Sequence, residues 1–210
     1  MSVDGTGSSG GPAARGVVTA YRELLERYHR TLDLMSDRGL AELDAKLVDA
    51  EAYAAAVERW AGPGAVVDVG SGAGLPGVMV AAVAPQRPVL LVERRRRRST
   101  FLGIVAARCG LANVSVIAAD VRAVRAEQLS QPLAAVTAQA VAGWPALYAM
   151  TRHLHGASLV LVGRRGEGWE VGVEALSLAI GAEATVVAAE PLGRGGTLVV
   201  LSVPGGRPCR

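Results

Sequence analysis

Twelve consecutive residues, Val66-Val67-Asp68-Val69-Gly70-Ser71-Gly72-Ala73-Gly74-Leu75-Pro76-Gly77, constrain the fold more than any other part of the chain. A β-branched run interrupted only by Asp68 reads as a buried strand, and the glycines at 70, 72 and 74 read as a tight turn into a helix. With no Cβ in the way, the backbone can pass close to a ligand, and the first amides of the following helix remain free to bind it. Many nucleotide folds share such a strand–turn–helix, and the bland alternative is a tight turn that holds nothing.

Around that turn the hydrophobic rhythm changes. From about Gly16, the residues Val17, Val18, Tyr21, Leu24, Leu25, Tyr28, Leu32 and Met35 recur at three- and four-residue spacing, which predicts an amphipathic helix. A second helical stretch runs from about Leu40 to Trp60 and stops at Gly62-Pro63-Gly64. Beyond it, short apolar runs at 65–69, 88–92, 114–118, 133–137, 158–162, 184–189 and 197–203 read as strands. Helices fall between most of them: one ending near Ala84, then 95–109, 143–155 and 168–180. Strands apolar throughout and alternating with helices require a sheet covered on both faces, an α/β architecture. The last two strands have no helix between them and read as an antiparallel hairpin at the sheet edge. The expected organisation is a flexible leader at 1–15, a helical cap at 16–62 and an α/β domain at 63–210, the last two forming one compact unit.

Composition sets outer limits. With 210 residues, 50% hydrophobic and 20% charged, the chain can bury a core of its own and does not read as disordered. No run approaches the roughly 18 uninterrupted apolar residues of a membrane span. Cys109 and Cys209 cannot build a disulfide framework, and the three His lack ligand spacing, so a cytoplasmic protein without a metal site is expected. The net charge is +3, yet Arg94 to Arg98 form an unbroken run. Such a run either holds nucleic-acid phosphate or lies as a solvated helix face. The near-neutral balance elsewhere permits RNA binding without demanding it.

Two further acids stand where neighbouring strands end. Glu93 can accept both hydroxyls of a ribose, and Asp120-Val121 offers a carboxylate to an exocyclic amine and an apolar side to an adenine ring. Ribose and adenine alone would also suit NAD. The placement of Asp68 before Gly70-x-Gly72-x-Gly74 instead resembles the class I S-adenosylmethionine (SAM) methyltransferases, where the carboxylate works near the methionine end and no pyrophosphate is cradled. The segment VVDVGSGAGLPGVMVAAVAP, followed by LLVERRRRRSTFL and GLANVSVI, resembles the small-subunit ribosomal RNA guanine-N7 methyltransferases of the glucose-inhibited-division B type. The likeness covers roughly Tyr21 to Gly166 and is strongest between Val66 and Val116. It implies a SAM-dependent methyltransferase on a Rossmann-like, seven-stranded, mostly parallel sheet with helices on both faces. It also implies that Asp68, Gly70, Ser71, Gly72 and Gly74 meet the donor with Arg94 and Gln139 beside them, that Glu93 meets the ribose, and that Asp120 and Val121 meet the adenine.

The chain departs from that family where the acceptor would lie. Ser-Arg-Ala after the fourth strand becomes Ala138-Gln139-Ala140, and Leu-Lys-Gly after the fifth becomes Leu161-Val162-Gly163, although Arg164 and Arg165 follow. Arg-His-Leu-Leu-Asp-Ser in the second helix becomes Ala45-Lys46-Leu47-Val48-Asp49-Ala50, and Asn-Leu-Thr in the first becomes Asp33-Leu34-Met35. Each lost group is a cation or hydrogen bonder that could hold phosphate or a guanine edge.

Two acceptors follow. The first is a small aromatic heterocycle, most simply an indole alkylated at C3 in specialised metabolism. Gln139, Trp144 and Tyr148 would form its walls, and Asp33, Tyr28, His29 or His153 would accept the ring N–H proton. The second is guanine N7 of small-subunit ribosomal RNA, whose in-plane lone pair carries no proton and needs only positioning. On the losses at Gln139 and Val162, the sequence alone favours the first.

Overall fold

The computed structural model describes residues 11–205. Three helices come first: α1 (Pro12–Tyr28), α2 (Asp37–Ala41) and α3 (Leu43–Trp60). Then follow β1 (Ala65–Val69), α4 (Gly77–Val83), β2 (Val89–Val92), α5 (Arg96–Arg108), β3 (Val114–Ile117), β4 (Leu133–Ala138), α6 (Trp144–Thr151), β5 (His155–Arg165), α7 (Trp169–Ile180), β6 (Thr185–Pro191) and β7 (Thr197–Pro204). The strands form one sheet in the order β3-β2-β1-β4-β5-β7-β6. β1 to β5 pair in parallel. β7 runs antiparallel between β5 and β6, so the expected C-terminal hairpin is present with β6 as the sheet edge.

Side-chain alternation divides the core in two. Val66, Leu91, Ala135, Val160, Val162 and Val200 point to one face, where α1, α3, α4 and α5 cover them. Val67, Val69, Leu90, Val92, Val136, Leu161 and Val199 point to the other, against α6 and α7. The N-terminal helices form part of one face's helical layer, with α3 lying on β5 and β7 and α1 on α4 and α5.

Boundaries differ from expectation at the N-terminal end. Helix α1 begins at Pro12, where a proline lacks only an amide that would have had no helical partner, and Ala14 is buried, so residues 12–15 are helix rather than leader. The part of the expected leader at residues 1–10 lies outside the described residues. Helix α1 also ends at Tyr28 instead of continuing to Met35; Leu34 is buried beyond it, and Leu32 and Met35 still pack on the same core. The second helical stretch is split at Glu42, and the Ser36 hydroxyl accepts the Gly39 amide to start α2.

No described helix is long and apolar enough to cross a membrane. The strand order reverses between β1 and β4. In open α/β sheets that crevice, at the carboxyl ends of the strands, is where ligands bind.

Candidate active site

β1 enters the glycine turn over a buried acid. Asp68 is 1% exposed; its Oδ1 accepts the Thr137 hydroxyl of β4 at 2.7 Å. Its Oδ2 faces the start of α4, where a Cβ on Gly77 would come within 2.7 Å of it and 2.3 Å of Leu91, so only glycine lets the helix begin there. Burial is the main reason that the Asp68 pKa is raised to about 6; hydrogen bonding from Thr137 holds it back. Asp68 therefore props the turn from beneath. Ser71 is likewise buried, its hydroxyl donating to the Asp68 carbonyl at 2.9 Å.

Above the turn, Glu93 organises the backbone. Its Oε2 accepts the Gly72 amide at 3.0 Å and its Oε1 the Arg95 amide at 2.7 Å, joining the turn to the approach of α5. Each oxygen keeps a second lone pair, so the carboxylate can still accept a pair of hydroxyls. Gly70 has φ +65, and a Cβ there would sit 2.9 Å from Val141. From the other side, the buried Tyr21 of α1 donates its hydroxyl to the Ala73 carbonyl at 2.9 Å. Sequence reasoning missed Tyr21, which reads as one more apolar helix position.

Gly70, Glu93 and Val141 border a cavity of about 350 Å³ at the carboxyl ends of β1, β2 and β3. Val69, Gly70, Val92, Glu93, Asp120 and Val121 line it, with Ala140, Val141 and Met150 closing the β4 side. Gly72 and Gly74 shape the turn without lining the cavity; Gly74 is buried against Val78, Leu102 and Tyr21. Asp120 is exposed and caps the short 3₁₀ turn at Val121–Ala123 by accepting the Arg122 amide at 2.9 Å. A carboxylate for two ribose hydroxyls, a second for an amine, apolar walls between them and a turn without Cβ atoms fit an adenosine. A cavity of about 200 Å³ at the opposite, amino ends of β1 and β2 is lined by Gln86, Asn113, Gln128 and apolar neighbours, with no titratable side chain.

The family described as rRNA small subunit methyltransferase G matches residues 16–183. The chain belongs to that family. Its members are SAM-dependent methyltransferases, and the cavity described above fits the adenosine part of that donor. A ribosomal RNA small subunit methyltransferase G from Halorhodospira halophila is 37% identical over 150 residues, covering 69% of this chain and 68% of that protein. The one from Acidothermus cellulolyticus is 37% identical over 138 residues, which are 58% of this chain and 60% of that protein. Among solved structures, a SAM-dependent methyltransferase from Aquifex aeolicus shares the fold, with a TM-score of 0.52 and 15% identity over 75% of this chain and 91% of that one.

The residues expected as acceptor walls do not line this cavity. Trp144 is 1% exposed and Tyr148 8%, both packed in the core beneath α6. The Trp144 ring is covered by the Arg165 guanidinium at 3.6 Å, and the Tyr148 ring meets His155 at 4.7 Å. Periodicity shows that an aromatic is buried but not on which side of the sheet. Gln139, just after β4, is half-buried, and the adjoining Ala140 and Val141 reach the cavity instead.

The four candidate bases do not converge. His29 is buried and its ring nitrogens meet the Leu25 and Glu26 carbonyls and the Asp37 carboxylate. His153 meets the Val124 carbonyl at 2.8 Å, and Tyr28 packs edge-on against Phe101. Only Asp33, exposed and at φ 51, adjoins the cavity, through its carbonyl on Arg98 Nε at 3.1 Å. Among the described residues no three His, Cys, Asp or Glu side chains gather as metal ligands would.

Charge supplies what the aromatics do not. Arg94, Arg95, Arg98 and Arg122 all line the cavity, so three of the five arginines in the run are more than a solvated face: Arg96 and Arg97 are exposed and do not line it. At the ends of β4 and β5, cations come from unexpected positions. Arg194 of the β6–β7 turn pairs with Glu42 at 2.9 Å and lies 3.9 Å from the buried Asp49; Lys46 pairs with the same Glu42. Arg164 donates to the Arg194 carbonyl at 2.8 Å. Tyr53 of α3, buried, accepts the Arg164 amide at 2.6 Å and donates to the Ala138 carbonyl at 3.3 Å, tying β5 to β4. Burial pushes the pKa of this tyrosine up.

Proposed function

We propose that this methyltransferase acts on a guanine base of small-subunit ribosomal RNA, at N7. The observation that carries the reading is a donor cavity whose wall holds, besides the half-buried Arg98, three exposed arginines, Arg94, Arg95 and Arg122. Cations in that setting attract and hold phosphate, which dominates affinity for RNA. The names of the relatives from Halorhodospira halophila and Acidothermus cellulolyticus support the same acceptor. So does the scatter of Tyr28, His29 and His153, because N7 offers a lone pair and no proton, and requires no base.

When bound, SAM supplies a methyl group made electrophilic by its sulfonium sulfur. The rest of the work belongs to the chain. Glu93 holds the ribose, Asp120 the adenine amine, and Val121 with Val92 the ring faces. The Gly70 turn gives the close backbone approach, fixed by Asp68 below and Tyr21 above. Arginines on the rim take phosphate. The rate gain rests on orientation and the exclusion of water rather than proton transfer.

A second reading, a small aromatic heterocycle such as an indole, is favoured by one feature: Gln139, just after β4, and Val162, within β5, bear no charge. Methyl-labelled SAM offered with small ribosomal subunits and, separately, with tryptophan and tryptamine derivatives distinguishes the two. Label in the RNA, at a guanine, is expected. Label confined to the indoles would replace the first reading with the second.

A further inference from the structure

Arg98 is the one member of the arginine run that is drawn inward. It lies in the first turn of α5, is half-buried where Arg94 to Arg97 are exposed, and lines the cavity. Its Nε donates to the Asp33 carbonyl at 3.1 Å, which fixes the plane of the guanidinium. Its other side approaches the turn: a Cβ on Gly72 would lie 3.9 Å from Nη1. Among the described residues neither Nη1 nor Nη2 has a hydrogen bond or a carboxylate partner. Gly72, for its part, is held by Glu93, the group placed at the ribose.

We propose that Arg98 binds the α-carboxylate of the methyl donor. The inference rests on the donor site described under the proposed function and assigns the other end of the same ligand. A nucleoside held by Glu93 and Asp120 leaves the amino-acid end of the donor to run along the turn. Arg98 presents two free N–H groups beside that turn, and a guanidinium matches a carboxylate with two parallel hydrogen bonds. Because Asp33 already orders the side chain, little rotamer freedom is lost when the anion arrives. Arg98 is thus a binding residue for the donor, and the glutamate and aspartate on the cavity wall are spared contact with an anion of their own sign.

SAM and decarboxylated SAM differ only in that carboxylate, so titrating both into wild type and variants isolates the contact. Arg98→Met, which keeps the apolar stem, is expected to weaken SAM by roughly 10- to 100-fold and decarboxylated SAM by less than about twofold. Arg98→Lys is expected to recover part of the loss for SAM alone. Equal losses for both ligands, or none for either, would overturn the assignment; unchanged nucleoside binding with weaker RNA binding would make Arg98 a phosphate contact instead. Wild type that binds neither ligand would remove the donor site itself, a result separate from any variant's behaviour. Thermal melts of each variant without ligand show that a loss is not unfolding, since the half-buried Arg98 leaves no large cavity.

Discussion

Along β1, β2 and β3 the carboxyl edge is built from backbone and acids: Glu93 takes two amides, Thr137 takes Asp68, and Tyr21 takes the Ala73 carbonyl. Along β4, β5 and β7 it is built from long cations that reach across: Arg164, Arg165 and Arg194, with Tyr53 joining the strands. The two halves differ in how fully their buried polar groups are paired. The first leaves one buried side-chain atom without a partner, Asp68 Oδ2; the second leaves both Asp49 oxygens, Trp144 Nε1 and two Arg165 nitrogens. An unpaired buried donor or acceptor costs free energy. The half around the glycine turn is nearly fully paired; the half at β4, β5 and β7 keeps more hydrogen-bonding capacity unspent.

The largest effect expected in that comparison is structural. Trp144→Ala removes a fully buried ring and its stacked guanidinium and should lower unfolding free energy by about 3–5 kcal/mol in urea titrations. Donor affinity of the folded fraction should not change. Stability retained with methyl transfer lost would instead make Trp144 a substrate wall and erase the distinction between the halves.

Next in size is a pH effect that separates Asp68 from His155. The Asp68 pKa stands at about 6, raised by burial, so the folded state holds the proton more tightly than the unfolded chain. This contribution is full below about pH 4 and is lost as pH rises through 6, a change of roughly 3 kcal/mol. Burial lowers the His155 pKa to about 4, so its contribution runs the other way, present above about pH 6.5 and lost as pH falls through 4. In the wild type the two oppose each other. Asp68→Asn should leave only the second, so that urea midpoints rise with pH across this window; parallel curves for variant and wild type would mean that Asp68 is not buried as described.

The smallest effect tests the second half directly. Gln139→Arg adds a cation just after β4 and should tighten RNA binding several-fold, up to about tenfold, with the salt slope steeper by about one. No change in that slope would place the RNA path away from β4.

The same division governs what could be read from the sequence. The glycine turn, Glu93 and Asp120-Val121 are legible because their chemistry is local: a few adjoining residues fix both the backbone path and the direction of the ligand. The mostly parallel pairing and the terminal hairpin follow from which apolar runs have helices between them. That Trp144 and Tyr148 pack in the core rather than line that cavity was not legible, because hydrophobic periodicity carries no information on which face of the sheet an aromatic meets. Tyr21, Tyr53 and Arg98 were missed because their contacts span 52, 111 and 65 positions along the chain, and only the folded topology brings them together. The start of α1 at Pro12 was hidden by a glycine- and serine-rich approach that resembles a leader throughout.

Isothermal titration of S-adenosylhomocysteine into wild type and Glu93→Ala bears most directly on the donor site, since that carboxylate both fixes the turn and faces the cavity. Micromolar or tighter binding to the wild type, weakened about 100-fold or more in the variant, is the expected result. Equal affinity in both proteins would contradict it, because the nucleoside would then lie somewhere other than the crevice between β1, β2 and β3.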